Sequence, residues 1–191
     1  MKDLIIATRN LHKLGEIREI LSGIPFNIKP LPENCPEVIE DGKTFEENAI
    51  KKAKSAFFCT GQISIADDSG LMVDYLNGAP GLYSSRFAPT DKERIEKLLS
   101  LLKGVSWERR RARFVCTLAI VFSEKKIEII KGELEGYISE EPKGEGGFGF
   151  DPIFYIPQYG KTLSELSEIK NKISHRAKAF LKAREVLLNY F

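Results

Sequence analysis

Between Ile63 and Val73 the chain reads ISIADDSGLMV, two apolar runs with adjacent carboxylates between them. Apolar runs of this length belong in buried strands, yet neighbouring negative charges repel and are costly to bury alone. Two arrangements resolve the conflict. Asp67-Asp68-Ser69-Gly70 is a solvated turn, a composition that turns favour, or a positive group sits between the two carboxylates. The rest of the chain has to decide.

The other segments alternate between strand and helix signals. Leu4–Ala7 is a short apolar strand, followed by the polar loop Thr8-Arg9-Asn10. Leu14, Ile17, Ile20 and Leu21 recur at helical spacing until Gly23-Ile24-Pro25 stops them. Residues 27–43, with three prolines, are expected to be irregular. Thr44-Phe45-Glu46-Glu47 reads as a capping box that opens a helix to about Phe58, and Thr90-Asp91-Lys92-Glu93 as a second one. Ser69-Gly70 is expected to turn the chain from one strand into the next. Arg113–Phe122 and Ile127–Gly136 form a hairpin, and a last helix starts near Ser174. Helices alternating with strands make this an α/β protein with a mixed β-sheet and flanking helices, in one domain over residues 1–191.

Charge narrows the possible partners. Twenty-nine basic and 27 acidic residues leave a formal charge of +2, which supplies no basic surplus for nucleic acid and no membrane-binding field. A polyanionic ligand must therefore be small and locally held. The opening apolar stretch is too short for a signal peptide or a membrane span. Cys35, Cys59 and Cys116 lack metal-ligand spacing and are expected to be free thiols in a reducing, cytoplasmic compartment.

Four segments hold more polar residues than folding needs. Thr8, Arg9, Asn10, Leu11, His12 and Lys13 lie where a strand turns into a helix, a place whose free N–H groups and dipole suit a phosphate. The same residues also read as an Asn10 cap with Lys13 in solvent. Glu40-Asp41 and Asp67-Asp68 come from separate regions and could share a hard divalent ion such as Mg²⁺, completed by water and substrate phosphates. In GEGGFGFDP, residues 144–152, glycines permit close backbone approach while Phe148 and Phe150 offer flat faces to a base and Asp151 an acceptor. The bland alternative is a flexible loop whose aromatics finish the core. Lys170-Asn171-Lys172-Ile173-Ser174-His175-Arg176 gathers donors at the start of the last helix, against the preference of its dipole.

Taken together, these segments resemble the inosine triphosphate pyrophosphatase family. Thr8, Asn10 and Lys13 match its T-x-N-x-x-K start, and EDGKTFEENAIKKA, ADDSGL, LNGAPGLYSSRF, GGFGFDPIF and KNKISHR follow in the expected order. The resemblance runs from about residue 5 to residue 180. It implies an elongated fold of two lobes around a central nucleotide-binding cleft, a homodimer, and Mg²⁺-dependent hydrolysis of ITP, dITP and XTP to nucleoside monophosphate and pyrophosphate. Carried across, Glu40 and Asp68 would hold the metal with Asp67 in support, and Asp68 would accept the proton. Thr8 through Lys13, Lys52 and Ser69 would lie near phosphate. Phe148, Gly149, Phe150, Asp151, Lys170, His175 and Arg176 would meet the base. Two positions depart from the family pattern. Arg9 stands where glycine is usual, and Phe150 where tyrosine or tryptophan is common.

Selectivity then has a chemical form. Hypoxanthine and xanthine carry an acceptor at the six position and adenine a donor, so a pocket of aimed donors welcomes the former and leaves itself unpaired with the latter. Three rival readings make different demands. A Maf-like pyrophosphatase would lack FGFDP and SHR, a non-catalytic nucleotide sensor would not need the acidic cluster, and a nucleic-acid module would carry a basic surplus.

Overall fold

The computed structural model describes residues 2–190; Met1 and Phe191, the ends of the domain expected from the sequence, lie outside the described residues. Strands β1 (Lys2–Ile6), β2 (Phe26–Pro30), β3 (Ile63–Val73), β4 (Arg111–Ser123), β5 (Lys126–Ile138), β6 (Phe154–Ile156) and β7 (Lys161–Thr162) alternate with helices. These are α1 (Leu11–Ile20), α2 (Phe45–Thr60), α3 (Asp91–Leu101), α4 (Lys170–Ile173) and α5 (His175–Leu188). The strands lie in the order β2-β1-β3-β4-β5-β6-β7. β1 is parallel to both β2 and β3, whereas β6 is antiparallel to β5 and β7. The expected α/β class with a mixed sheet is the one observed.

The chain divides into two compact units, one with residues to Asp68, Cys116–Gly132 and from His175 on, the other with Ser69–Val115 and Glu133–Ser174. In the first, Leu4, Ile6, Ile65, Leu118 and Ile120 pack with α1 and α5 through Leu14, Ile17, Ala177 and Phe180. The intervening residues Ile5, Ala7, Ala66, Ala119 and Val121 pack instead with Ala49, Ala53 and Ala56 of α2. This alternation is the period-2 pattern of a strand buried on both faces. In the second unit Leu71 and Val73 pack with Ile95, Leu98 and Leu102 from the α3 side, and with Phe114, Phe150 and Phe154.

The capping residues perform differently. Thr90 and Glu93 form the full reciprocal box at α3. At α2, Thr44 accepts from the Glu47 N–H, but the Glu47 carboxylate takes the Lys43 N–H, one residue earlier than the box requires. α1 is capped by Asn10, whose Oδ1 accepts from His12 N and Lys13 N at 3.0 and 3.1 Å.

Three expectations need correction. Residues 27–43 are not wholly irregular, because Phe26–Pro30 pairs along β1 as an edge strand. Its apolar-polar pattern is short and ends in Pro30, which an edge position tolerates since its missing N–H leaves no ladder bond unmade. Asp67-Asp68-Ser69-Gly70 is not a turn, since β3 runs unbroken through it. Cys35 and Cys59 are not free thiols. They are joined in a disulfide with a Cα–Cα distance of 5.8 Å, leaving Cys116 as the buried free thiol. Separated by 24 residues, the pair gave no sequence signal, because it is the fold that brings the loop after β2 beside the end of α2.

Among the described residues no helix is long and apolar enough to cross a membrane.

A disulfide closing a loop of this size stabilises by about 3 kcal/mol, chiefly by restricting the unfolded chain. Cys59→Ser is therefore expected to lose about that much in urea unfolding, and reductant to reproduce the loss in the parent protein. Thiol titration in denaturant should find one reactive cysteine without reductant and three with it; three in both would reject the bridge.

Candidate functional site

β3 answers the question its sequence poses. Adjacent residues on a strand point to opposite faces, so Asp67 follows Ile65 towards α1 and α5, and Asp68 follows Ala66 towards α2. Each carboxylate is buried and meets its own partners. Lys13 Nζ of α1 lies 3.1 Å from Asp67 Oδ2, and Arg176 Nη2 of α5 lies 3.5 Å from the same oxygen. Arg176 Nη1 is also 2.6 Å from Glu16 Oε2. Burial works against the Arg176 charge, but Asp67, with Cys116 and Glu16, outweighs it and holds the guanidinium pKa above its ordinary value.

On the opposite face Asn48 Nδ2 donates to Asp68 Oδ2 at 3.0 Å. The same buried amide accepts from Gly42 N at 2.8 Å. A Cβ at Gly42 would stand 2.5 Å from Asn48 Oδ1, so glycine is what lets the loop close onto the helix. Lys52, one turn after Asn48, pairs with Glu40 Oε2 at 3.2 Å. Burial pushes the Asp68 carboxyl above the usual carboxylate range; Lys52 and Asn48 pull it down, while Glu40 and Asp67 push it up. Asp41 pairs instead with exposed Lys51 and stands outside this group.

The donor set defines what metal it could take. Among the described residues no cluster of three or more His, Cys, Asp or Glu side chains is set to hold an ion. Asp67 is engaged by Lys13 and Arg176, whereas Glu40 and Asp68 share the α2 side with the single cation Lys52. Two hard carboxylates do not make a closed cage for Ca²⁺ or Zn²⁺. They do suit a Mg²⁺ ion that keeps water and draws its other oxygens from substrate phosphates.

Thr8 through Lys13 are arranged around the α1 cap. Thr8 Oγ1 accepts from Asn10 N at 3.1 Å, and Asn10 caps the helix. Leu11 is 80 % exposed and His12 is exposed as well. Arg9 Nη2 donates to the Cys35 carbonyl at 2.8 Å, tying this loop to the disulfide. The expected Asn10 cap is present, with Lys13 turned onto Asp67 rather than left in solvent. Ser69 is partly buried in β3 immediately after Asp68.

In the second unit the glycine-rich loop is built around buried Asp151. Its Oδ2 accepts from Phe148 N at 3.1 Å and lies 2.8 Å from Lys170 Nζ. Lys170 also sits 4.4 Å from the centroid of the Phe148 ring. Gly147 has φ +72°, and a Cβ there would run into Asp151 Oδ2. Phe150 is buried against Phe87, with ring centroids 6.3 Å apart, so it belongs to the core as the bland alternative had it. The cationic segment does not act as one patch. Lys170 in α4 serves the Asp151 loop of the second unit, whereas His175 and Arg176 open α5 in the first, both buried.

Sequence reasoning missed Glu16 and Asn48. Both carried a usable signal: Glu16 lies three residues after Lys13, and Asn48 four before Lys52, on shared helix faces.

Comparison with known proteins follows this layout. A profile described as the Ham1 family matches residues 4–186. The chain belongs to the Ham1 family. It is 50 % identical over 190 residues to a dITP/XTP pyrophosphatase of Desulforamulus reducens, covering 96 % of this chain and 94 % of the relative. It is 48 % identical over 193 residues to one of Bacillus subtilis, covering 98 % of each. Among solved structures, a HAM1 protein from Coxiella burnetii superposes with a TM-score of 0.91 at 42 % identity, over 99 % of this chain and all of that one. The Staphylococcus aureus Ham1 protein gives 0.88 at 39 % identity over the whole of both chains.

The raised Asp68 pKa has a consequence for stability. A carboxyl that binds its proton more tightly folded than unfolded contributes stability at low pH, and loses it as pH rises through the folded-state pKa. Asp68→Asn removes the buried charge and keeps an acceptor for Asn48. At neutral pH it should melt higher than the parent, by about 2–4 °C per kcal/mol relieved. The gap should close towards acid pH. A variant that melts well below the parent at neutral pH would contradict this.

Proposed function

We propose that this chain is a nucleoside triphosphate pyrophosphatase that removes deaminated purine nucleoside triphosphates, ITP, dITP and XTP, from the nucleotide pool. It releases nucleoside monophosphate and pyrophosphate. The observation that carries the reading is the division of Asp67 and Asp68 between opposite faces of β3. One carboxylate is neutralised by Lys13 and Arg176, and the other is buried beside Glu40 and Lys52 with a raised proton affinity.

The reaction forms a bond from water oxygen to the α-phosphorus and breaks the bond to the α–β bridging oxygen, and pyrophosphate leaves. Asp68 is the proton acceptor for the attacking water. Glu40 and Asp68 would hold Mg²⁺, which when bound supplies charge neutralisation for phosphate oxygens. Lys52 and Lys13 add cations for the triphosphate, and Thr8 through His12, with Ser69, lie around it at the positive end of α1. Asp67 holds Lys13 and Arg176 in place. Phe148, Gly149 and Asp151 form the base-recognition loop, with Phe150 anchoring it in the core and Lys170 bracing it. His175 and Arg176 supply donors that favour a six-oxo purine.

The same reading makes the protein a single catalytic domain over residues 1–191, a cytoplasmic homodimer, with no part for nucleic acid or membrane. The family resemblance supports the dimer, and the substrate class supports the compartment. The disulfide withdraws the argument from free thiols.

Purified protein incubated with ITP, dITP, XTP, ATP, GTP and dTTP, with and without Mg²⁺, is expected to give monophosphate and pyrophosphate from the first three only when metal is present. Diphosphate and phosphate as products would overturn the mechanism, and tight ITP binding without turnover would leave a sensor. Asp68→Asn should lose at least about 10³-fold in turnover while remaining folded. His175→Ala should narrow the ITP-to-ATP preference by about tenfold, the worth of one buried donor.

A further inference from the structure

Asp91 opens α3, 58 residues before Gly149 in sequence, yet its Oδ2 accepts from Gly149 N at 2.8 Å. Its other oxygen, Oδ1, is 2.8 Å from Arg94 Nη1, and Arg94 Nε donates to the Ala88 carbonyl at 2.8 Å. The carboxylate is thus held in a fixed orientation by its own helix while it holds the loop.

What it fixes is the peptide between Phe148 and Gly149. The carbonyl of that peptide accepts from Asp151 N at 3.3 Å, and its N–H goes to Asp91. The preceding peptide is held by Asp151 Oδ2 on Phe148 N at 3.1 Å. Both peptide planes flanking Phe148 are therefore anchored. The last anchor on the outer side is Asp91, at the point where Gly149 takes φ +62°. A peptide followed by glycine at positive φ rotates with little steric resistance once its N–H is released.

We propose that Asp91 is a positioning residue for purine recognition, orienting the Phe148–Gly149 peptide so that the Phe148 ring and the loop backbone meet the base in one geometry. The inference rests on the assignment of this loop to the base. Asp91 touches no part of the reaction and acts only through the loop. A solely structural role is the alternative, because an acidic residue in the first turn also favours a helix through its dipole.

The test separates these. Asp91→Ala and Arg94→Leu are compared with the parent by amide hydrogen exchange at Gly149, by melting temperature, and by kcat and KM for ITP with Mg²⁺. Inhibition by inorganic tripolyphosphate, which has no base, is measured alongside. Asp91→Ala is expected to expose the Gly149 amide to exchange and to raise KM for ITP by about tenfold, with kcat within about twofold and tripolyphosphate inhibition unchanged. Arg94→Leu, which keeps the Asp91–Gly149 bond but frees the carboxylate to turn, is expected to lower the melting temperature and to raise Gly149 exchange and KM by less than Asp91→Ala does. If Asp91→Ala does not fold, Asp91→Asn carries the same readouts, with a smaller rise in exchange and KM because its one carbonyl oxygen is shared between Gly149 and Arg94. Unchanged Gly149 exchange, unchanged KM, or an equal loss of ITP and tripolyphosphate binding would overturn the role of Asp91. A parent protein inert towards ITP would overturn instead the assignment of the loop to a base.

Discussion

The pleat of β3 is the constraint on which the first unit's chemistry depends. A strand buried on both faces must send consecutive side chains in opposite directions. Placing Asp67 and Asp68 consecutively therefore delivers one carboxylate to the α1 and α5 side and one to the α2 side. Their mutual repulsion is lowered by separation, and each burial cost is met locally. Lys13 and Arg176 meet it for Asp67, Asn48 and Lys52 for Asp68. A turn at the same place would have left both carboxylates in water, without the burial that raises the Asp68 pKa.

The two sides are unequal, and that inequality is what makes them useful. Asp67 faces two cations and serves as their anchor. Glu16 then takes the remaining edge of Arg176, so that a buried guanidinium is matched by carboxylates on two elements. Asp68 has one hydrogen bond from a neutral amide and a cation already paired with Glu40, so burial dominates and its pKa rises. Adjacent, chemically identical residues thus acquire different charge environments from their surroundings alone.

Local patterns in the sequence were sufficient for the four longer helices, the hairpin and the Thr90 box. They failed where a long-range neighbour decided the outcome. The Asp-Asp-Ser-Gly composition argues for a turn as strongly as for anything, yet β3 runs unbroken through it as one strand of a seven-stranded sheet. Cys35 meets Cys59 through the packing of a loop onto a helix end, which no spacing rule anticipates. Lys170 and Arg176 are six residues apart in sequence, yet they serve different units, because Ser174 ends α4 before α5 begins. The resemblance in motif order placed the residues in one family, while their partners had to come from the fold.

The loop from Leu31 to Lys43 shows how the fold disciplines a segment without regular structure. Glu40 lies in it, and a carboxylate on an unrestrained loop would face a large entropic cost whenever it was needed in one position. Here the loop is fastened along its length. The Cys35–Cys59 bridge and the Arg9 bond to the Cys35 carbonyl hold its first half. Gly42 N on Asn48 and Lys43 N on Glu47 hold its end at the start of α2. Lys52 then takes Glu40 itself. Asn48 is the point of convergence, because one amide binds the loop through its oxygen and Asp68 through its nitrogen. The position of Glu40 relative to Asp68 is thus set by a single buried side chain on α2 and by the short segment between Glu40 and Gly42. Ordering cost met at folding need not be met again on binding a ligand, and this is the sense in which the disulfide and the Arg9 side chain serve the position of Glu40.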